Sequence, residues 1–218
     1  GWSSPSVTLT APVTAAQANT LAGLTSGIVT AEIAAGSATS INDALASADA
    51  TDALTITLTD ATITAEVLNA LDAKTSVEID AASIIAVAGS LGALLAAYTG
   101  DVTGLGDEAL TVTTSPISVG NANDIAGLTT GAVTATIADG DLATLNNLAE
   151  TGHAYAVTVT DPTAAAWALT ALASKTSVPV NAAAVQSVTG TDHAELSALY
   201  AAGSAGRITG LGNEAVTA

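Results

Sequence analysis

The feature that most constrains this chain is that it contains itself twice. Ala22-Gly-Leu-Thr-Ser-Gly27 returns as Ala126-Gly-Leu-Thr-Thr-Gly131, an offset of 104 from Gly27 to Gly131. Leu71-Asp-Ala-Lys-Thr-Ser-Val77 returns as Leu172-Ala-Ser-Lys-Thr-Ser-Val178, an offset of 101 from Leu71 to Leu172. Gly104-Leu-Gly-Asp-Glu-Ala109 returns as Gly210-Leu-Gly-Asn-Glu-Ala215, an offset of 106 from Gly104 to Gly210. Drifts of this size are loop insertions and deletions. Residues 7–109 and 110–218 are therefore two copies of one cassette, preceded by a linker or vector-derived scar at 1–6. The second copy closes on Val216-Thr-Ala218, the opening of a further strand, as in a piece of a longer array. Repeats of this kind stack, each covering a face that its neighbour leaves open.

A finer beat runs inside each cassette. Alternating runs rich in β-branched residues occupy 7–10, 29–33, 54–59 and 77–79, then 110–113, 133–137, 156–160 and 178–180. Such alternation predicts half-buried strands. Between them, Leu21 and Leu24, Leu68 and Leu71, Leu145 and Leu148, and Leu169 and Leu172 sit three apart, and Leu91, Leu94, Leu95 and Tyr98 follow a helical stripe. Thr14 and Gln17 have the capping-box spacing. Asp161 before Pro162 predicts a helix start, and Gly27, Gly100 and Gly131 predict helix stops.

Strand and helix in alternation predict an α/β fold with parallel strands joined by right-handed crossovers. A doubly wound sheet would need strands apolar on both faces. These strands carry Thr or acid at alternate positions. The expected architecture is thus a right-handed βα solenoid with a leucine-rich-repeat-like layout, the parallel sheet on one side and the helices on the other. The leucine-rich consensus with its Asn ladder is not present.

Composition narrows the function classes. Hydrophobic residues make up 49% of the chain, but Phe, Met and Cys are absent, so the core is thin and Ala-rich. The 20 acidic residues against Lys74, Lys175 and Arg207 give a net charge of −17, which argues against nucleic-acid and anionic-membrane partners. It also fits a saline exterior, where salt screens self-repulsion. Without Cys there is no disulfide or thiolate site. The start has neither the basic nor the apolar region of a secretory leader. The most apolar run, 84–98, is too short to span a bilayer and is broken by Gly89, Ser90 and Gly92, so no membrane insertion is expected.

The runs Val157-Thr-Val-Thr-Asp161, Leu169-Thr-Ala-Leu-Ala-Ser-Lys-Thr-Ser-Val178 and Ile208-Thr-Gly-Leu-Gly-Asn-Glu-Ala-Val216 resemble the Thr-, Ala- and Asp-rich tandem repeats of giant cell-surface or secreted proteins of marine bacteria, cyanobacteria among them. The resemblance covers nearly the whole chain from about residue 7. It implies an extracellular, structural role with many copies per polypeptide and no catalytic residues. The calcium-binding glycine-rich nonapeptides of some such proteins are absent here.

Residues able to do chemistry are scarce. His153 aligns near Asp49 and His193 near Gly92, so neither recurs, and both read as surface residues. No nucleophile-elbow, phosphate-loop or zinc-protease motif is present. Gly104-Leu-Gly106 and Gly210-Leu-Gly212 precede strands, which makes them tight turns, not nucleotide loops. Asp101, Asp107 and Glu108 are weak calcium candidates, because hard cations take several oxygens. Their counterparts Arg207, Asn213 and Glu214 weaken that reading. A second acidic turn, Asp139-Gly140-Asp141, matches Ala35 and Ser37 in the first copy.

Thr55, Thr57, Thr59, Thr111, Thr113, Thr134, Thr136, Thr158 and Thr160 share one strand face by period-two geometry and are the surface-binding candidates. Glu32, Glu78 and Asp80 interrupt that face. Lys74 and Lys175, at matching positions, read as caps of their own helix C-termini. Trp167, Tyr155 and Tyr200 are the aromatic candidates for a binding patch.

The expected function is a non-enzymatic spacer in a large extracellular surface or matrix protein. Its partners would be neighbouring repeats, with end-to-end self-association, and no cofactor is required. Two alternatives stand beside it: a Thr-faced module for ice or a crystalline polymer, and a calcium-stabilised adhesin repeat.

Overall fold

A computed structural model describes residues 4–114, 116–149 and 151–217. The first three residues of the expected linker and the last residue of the expected further strand thus lie outside the described residues. The chain is α/β, and its strands pair in parallel. It divides into two compact units, residues 1–109 and 110–218.

In unit 1, five strands form one parallel sheet in the order β1, β2, β3, β5, β7. They are β1 (Val7–Thr8), β2 (Val29–Glu32), β3 (Ala53–Thr57), β5 (Ile79–Asp80) and β7 (Val102–Thr103). A second pair, β4 (Thr62–Thr64) and β6 (Ala86–Gly89), is also parallel. Helices α1 (Ala15–Ala22), α2 (Ala38–Ala44), α3 (Ala65–Asp72) and α4 (Leu91–Ala97) intervene, each packed on the next.

Unit 2 has the same pattern. Strand β9 (Val133–Thr136) lies between β8 (Ala109–Val112) and β10 (Ala154–Ala156). β12 (Val180–Asn181) pairs with β14 (Ile208–Thr209), and β13 (Ser187–Thr189) lies between β11 (Thr163–Ala165) and β15 (Ala215–Thr217). Its helices are α5 (Val119–Ala126), α6 (Leu142–Leu145), α7 (Ala166–Lys175) and α8 (His193–Ser204).

The strands form where alternation predicted them because every second residue is taken out of water. Val29, Leu54, Ile56, Ile79, Leu110, Val133 and Val180 are fully buried, against Leu68, Leu71, Leu94, Leu145, Leu169 and Leu172 from the helices. Each such side chain contributes about 1.5–3 kcal/mol when withdrawn from solvent. The second rank of short strands was not expected. Runs such as Thr163-Ala164-Ala165 are three residues of small side chains that lead straight into a helix, so they carry no alternation to read.

Several local expectations are corrected. The strand expected at 156–160 forms at Ala154–Ala156, and Thr158 makes only an isolated bridge with Asn181. Leu24 lies beyond α1 and is exposed. Asp161 does not start its own helix: α7 begins at Ala166, and the Asp161 carboxylate accepts the Leu142 amide at the start of α6, 2.7 Å away. Gly23 and Gly127, not Gly27 and Gly131, follow α1 and α5, and Tyr98, not Gly100, follows α4. Their φ values of −72° for Gly23 and −69° for Gly127 are ordinary helical ones, so no left-handed stop is used there. The Thr14–Gln17 capping box is present, with both reciprocal bonds.

The Gly-Leu-Gly turns are where glycine is required. Gly104 and Gly210 have φ of +82° and +88°. A Cβ on either would stand 2.6–2.7 Å from the backbone of Ala82 or Ala183. Gly152 has φ +93° but open space around it. Gly104→Ala and Gly210→Ala are therefore expected to destabilise by more than about 3 kcal/mol, strain and overlap adding. Gly152→Ala adds only the conformational cost of about 1–2 kcal/mol. Urea denaturation of the three variants measures the difference.

Candidate functional site

The most organised chemistry in the molecule is polar, buried and directed at its own backbone. At the start of β2, β3, β9 and β10 an amide is met not by a backbone carbonyl but by a side chain from the next βα step. Asp52 Oδ1 accepts the Val29 amide at 2.8 Å, and Thr75 Oγ1 accepts the Leu54 amide at 2.9 Å. In unit 2, His153 Nδ1 accepts the Val133 amide at 3.0 Å, and Thr176 Oγ1 accepts the Tyr155 amide at 3.0 Å. All four side chains are buried. Thr75 and Thr176 also accept the amides of Val77 and Val178, and they donate to the carbonyls of Leu54 and Tyr155.

His153 is thus no surface residue. It occupies the rung that Asp52 holds in unit 1, beside the Tyr155 ring at 5.2 Å between centroids. The sequence signal for this ladder was Thr-Ser-Val at 75–77 and 176–178, with Thr25 and Thr129 in the related runs. Thr25 and Thr129 accept the amides of Gly27 and Gly131.

Acidic residues act in the same way on helix starts. Asp60 caps Ala38, Asp139 caps Val119 and Asp161 caps Leu142, each carboxylate accepting an amide at 2.7 Å from the preceding helix. Asp141 accepts the Thr144 amide within α6, and these bonds hold its carboxyl below the usual carboxylate value. The turn at 139–141 is therefore a pair of caps. Lys74 and Lys175 do cap carbonyls, but on neighbouring segments: Lys74 Nζ donates to Asn42 O in α2 and Lys175 Nζ to Leu148 O beyond α6, both at 2.6 Å.

The calcium candidates are not drawn together. Asp101 and Asp107 are exposed, while Glu108 is 1% exposed and turns back to accept the Gly106 and Asp107 amides. Among the described residues, no group of three or more His, Asp or Glu side chains could hold a metal ion. In unit 2, Glu214 accepts the Gly212 amide at 2.6 Å, and the Tyr200 hydroxyl donates to its other oxygen. Arg207, at the place of Asp101, donates to the carbonyls of Ala173 and Thr176.

The Thr candidates lie on outward strand faces or just beyond strand ends. Thr57 is half-buried and the other eight are exposed. In register, Thr111 stands beside Thr134, and Ala154 follows. Glu32 stands beside Thr55, and Asp80 separates Thr57 from Thr103. Rows of hydroxyls are thus no more than two deep in these pairs. Of the aromatic candidates, Tyr155 is buried and donates to Ala122 O, Tyr200 is engaged with Glu214, and Trp167 is exposed.

No protein-family model, curated protein or solved structure matches the chain. No helix among the described residues is long and apolar enough to cross a membrane.

Two measurements follow. Thr176→Val keeps the volume but strands the Tyr155 and Val178 amides, so it is expected to lower stability by about 1–3 kcal/mol. Thr158→Val, on the exposed face, is expected to stay within about 0.5 kcal/mol. Burial first, and then the hydrogen bond and charge of Glu214, push the Tyr200 phenol up to about 12. A raised value means that the stabilisation is full below the ordinary 10.0 and is lost as pH rises through about 12. Glu214→Gln is expected to bring the Tyr200 titration part of the way back towards 10.0, since burial remains; ultraviolet absorbance against pH reads it directly.

Proposed function

We propose that the chain is a mechanical spacer: a right-handed βα solenoid of two cassettes, part of a large extracellular surface or matrix protein, with no catalytic role. One observation carries this reading. The residues that recur between the cassettes are the ones that tie one βα step to the next. Thr75 and Thr176 pair with strand-start amides, Asp60 and Asp161 cap the preceding helix, and Gly104 and Gly210 press against the backbone of Ala82 and Ala183. An enzyme repeats what meets its substrate; this chain repeats what meets its own backbone.

Such a spacer lengthens by equal increments, because each step needs only its neighbours. Its partners are further repeats of the same kind, including end-to-end contacts between copies. The net charge of −17 keeps a long array soluble and apart from polyanions. The resemblance to repeats of giant marine bacterial surface proteins supports an exterior location. The spacer reading is preferred to an ice-facing one because carboxylates and alanines break the Thr rows.

Tandem fusions of one, two and three copies of the chain test the proposal by small-angle X-ray scattering. A spacer gives a radius of gyration that grows nearly in proportion to copy number. Growth of only about 1.3-fold on doubling, the scaling of a compact globule, would overturn it.

A further inference from the structure

Both units carry an open groove between the start of one helix and the next βα step. In unit 1 it measures about 340 Å³ and is lined by Thr39, Asp60, Thr62, Thr64 and Val67 among others. In unit 2 it measures about 370 Å³, and Asp161, Thr163 and Ala168 take the places of Asp60, Thr62 and Val67 at an offset of 101. The two differ at one prominent position. Where α3 has Glu66, α7 has Trp167, which lines the groove in unit 2 with 58% of its surface exposed.

An indole this open beside polar groups presents a large, flat apolar face that a ligand can cover. The polar groups around it suit a donor-rich ligand. Asp161 accepts the Leu142 amide and Asp141 the Thr144 amide, and both carboxylates line the groove as acceptors. Asn146 lines the same groove. Thr163 adds a hydroxyl.

We propose that this groove binds a neutral glycan chain, one pyranose ring stacking its C–H face on Trp167 while its hydroxyls donate to Asp141 and Asp161. Sugar hydroxyls are the donors that paired carboxylates lack, and the flat apolar face of a pyranose matches an indole. Polyanionic glycans are disfavoured by both carboxylates and by the net charge of −17. An open groove accommodates a residue inside a chain. The Glu66 version in unit 1 lacks the stacking platform, so one site per chain is expected. The inference is independent of the spacer reading: a spacer with or without glycan affinity remains a spacer.

The test uses the full chain carrying Trp2→Phe, so that Trp167 is the sole indole. It is titrated with neutral hexasaccharides (β-1,4-glucan, β-1,3-glucan, β-1,4-mannan and β-1,4-xylan), with their monosaccharides, and with an alginate hexasaccharide. The expected result is a saturable change in indole emission with at least one neutral hexasaccharide. Its affinity should exceed that of its monosaccharide, and calorimetry should give one site per chain. Trp167→Ala should weaken binding by at least about tenfold, as truncation of an aromatic anchor does, with the melting curve unchanged. Asp141→Asn should weaken it less. The absence of a saturable response to every neutral hexasaccharide up to about 10 mM, beyond the weak end of measurable affinity, would overturn the proposal. So would binding that survives Trp167→Ala, or a preference for alginate.

Discussion

The structure depends on how the leading amides of β2, β3, β9 and β10 are satisfied. A parallel strand two to five residues long has few ladder bonds, and its leading N–H points into the region the core has dehydrated. Left alone, such an amide costs about 1–3 kcal/mol, comparable with burying one aliphatic side chain. Here the next step in the chain supplies the acceptor: a carboxylate at Asp52, hydroxyls at Thr75 and Thr176, an imidazole at His153. The position demands an acceptor of the right reach and little else. That explains how three chemically different side chains serve equivalent rungs in two copies of one cassette.

The same economy governs the helices. With few charged residues and small side chains, the starts of α2, α5 and α6 borrow a cap from the following step, as Ala38 does from Asp60, Val119 from Asp139 and Leu142 from Asp161. Asparagine ties a helix to the next step: Asn69 donates to the Ala93 carbonyl in α4 and Asn123 to that of Asn147, just beyond α6. Local elements are thus completed by their neighbours.

Much of this was legible in the residues, and the rest was not for physical reasons. The repeat and the β-branched alternation located the main strands, because their burial pattern has a period that sequence preserves. The capping box at Thr14 was legible because its partners lie three residues apart. Asp161 was misread for the opposite reason: its partner, Leu142, lies 19 residues away, and no local pattern records a contact across a step. His153 was placed on the surface because a lone polar residue without a repeat counterpart looks solvated. Its counterpart is Asp52, a different residue type with the same bond. The short strands of the second rank, such as Thr62–Thr64 and Ser187–Thr189, hold a single central apolar residue in three, too short a run for a period to show. The groove at Trp167 could be suspected from the sequence only as one of three aromatic candidates; the groove itself and the two carboxylates that line it come from the fold.

The strand register has a consequence for electrostatics. In none of the strand pairs described does one carboxylate stand opposite another: Glu32 faces Thr55, and Asp80 has Thr57 on one side and Thr103 on the other. Each of these acids has threonine for its neighbour, so a further acid in the same row would stand at least two strand spacings away, about 9.6 Å, close to the distance over which physiological salt dissipates a surface charge. Threonine here is a dielectric gap as much as a strand former. By interleaving hydroxyls with acids, the sheet face carries negative charge with little lateral repulsion to pull its strands apart.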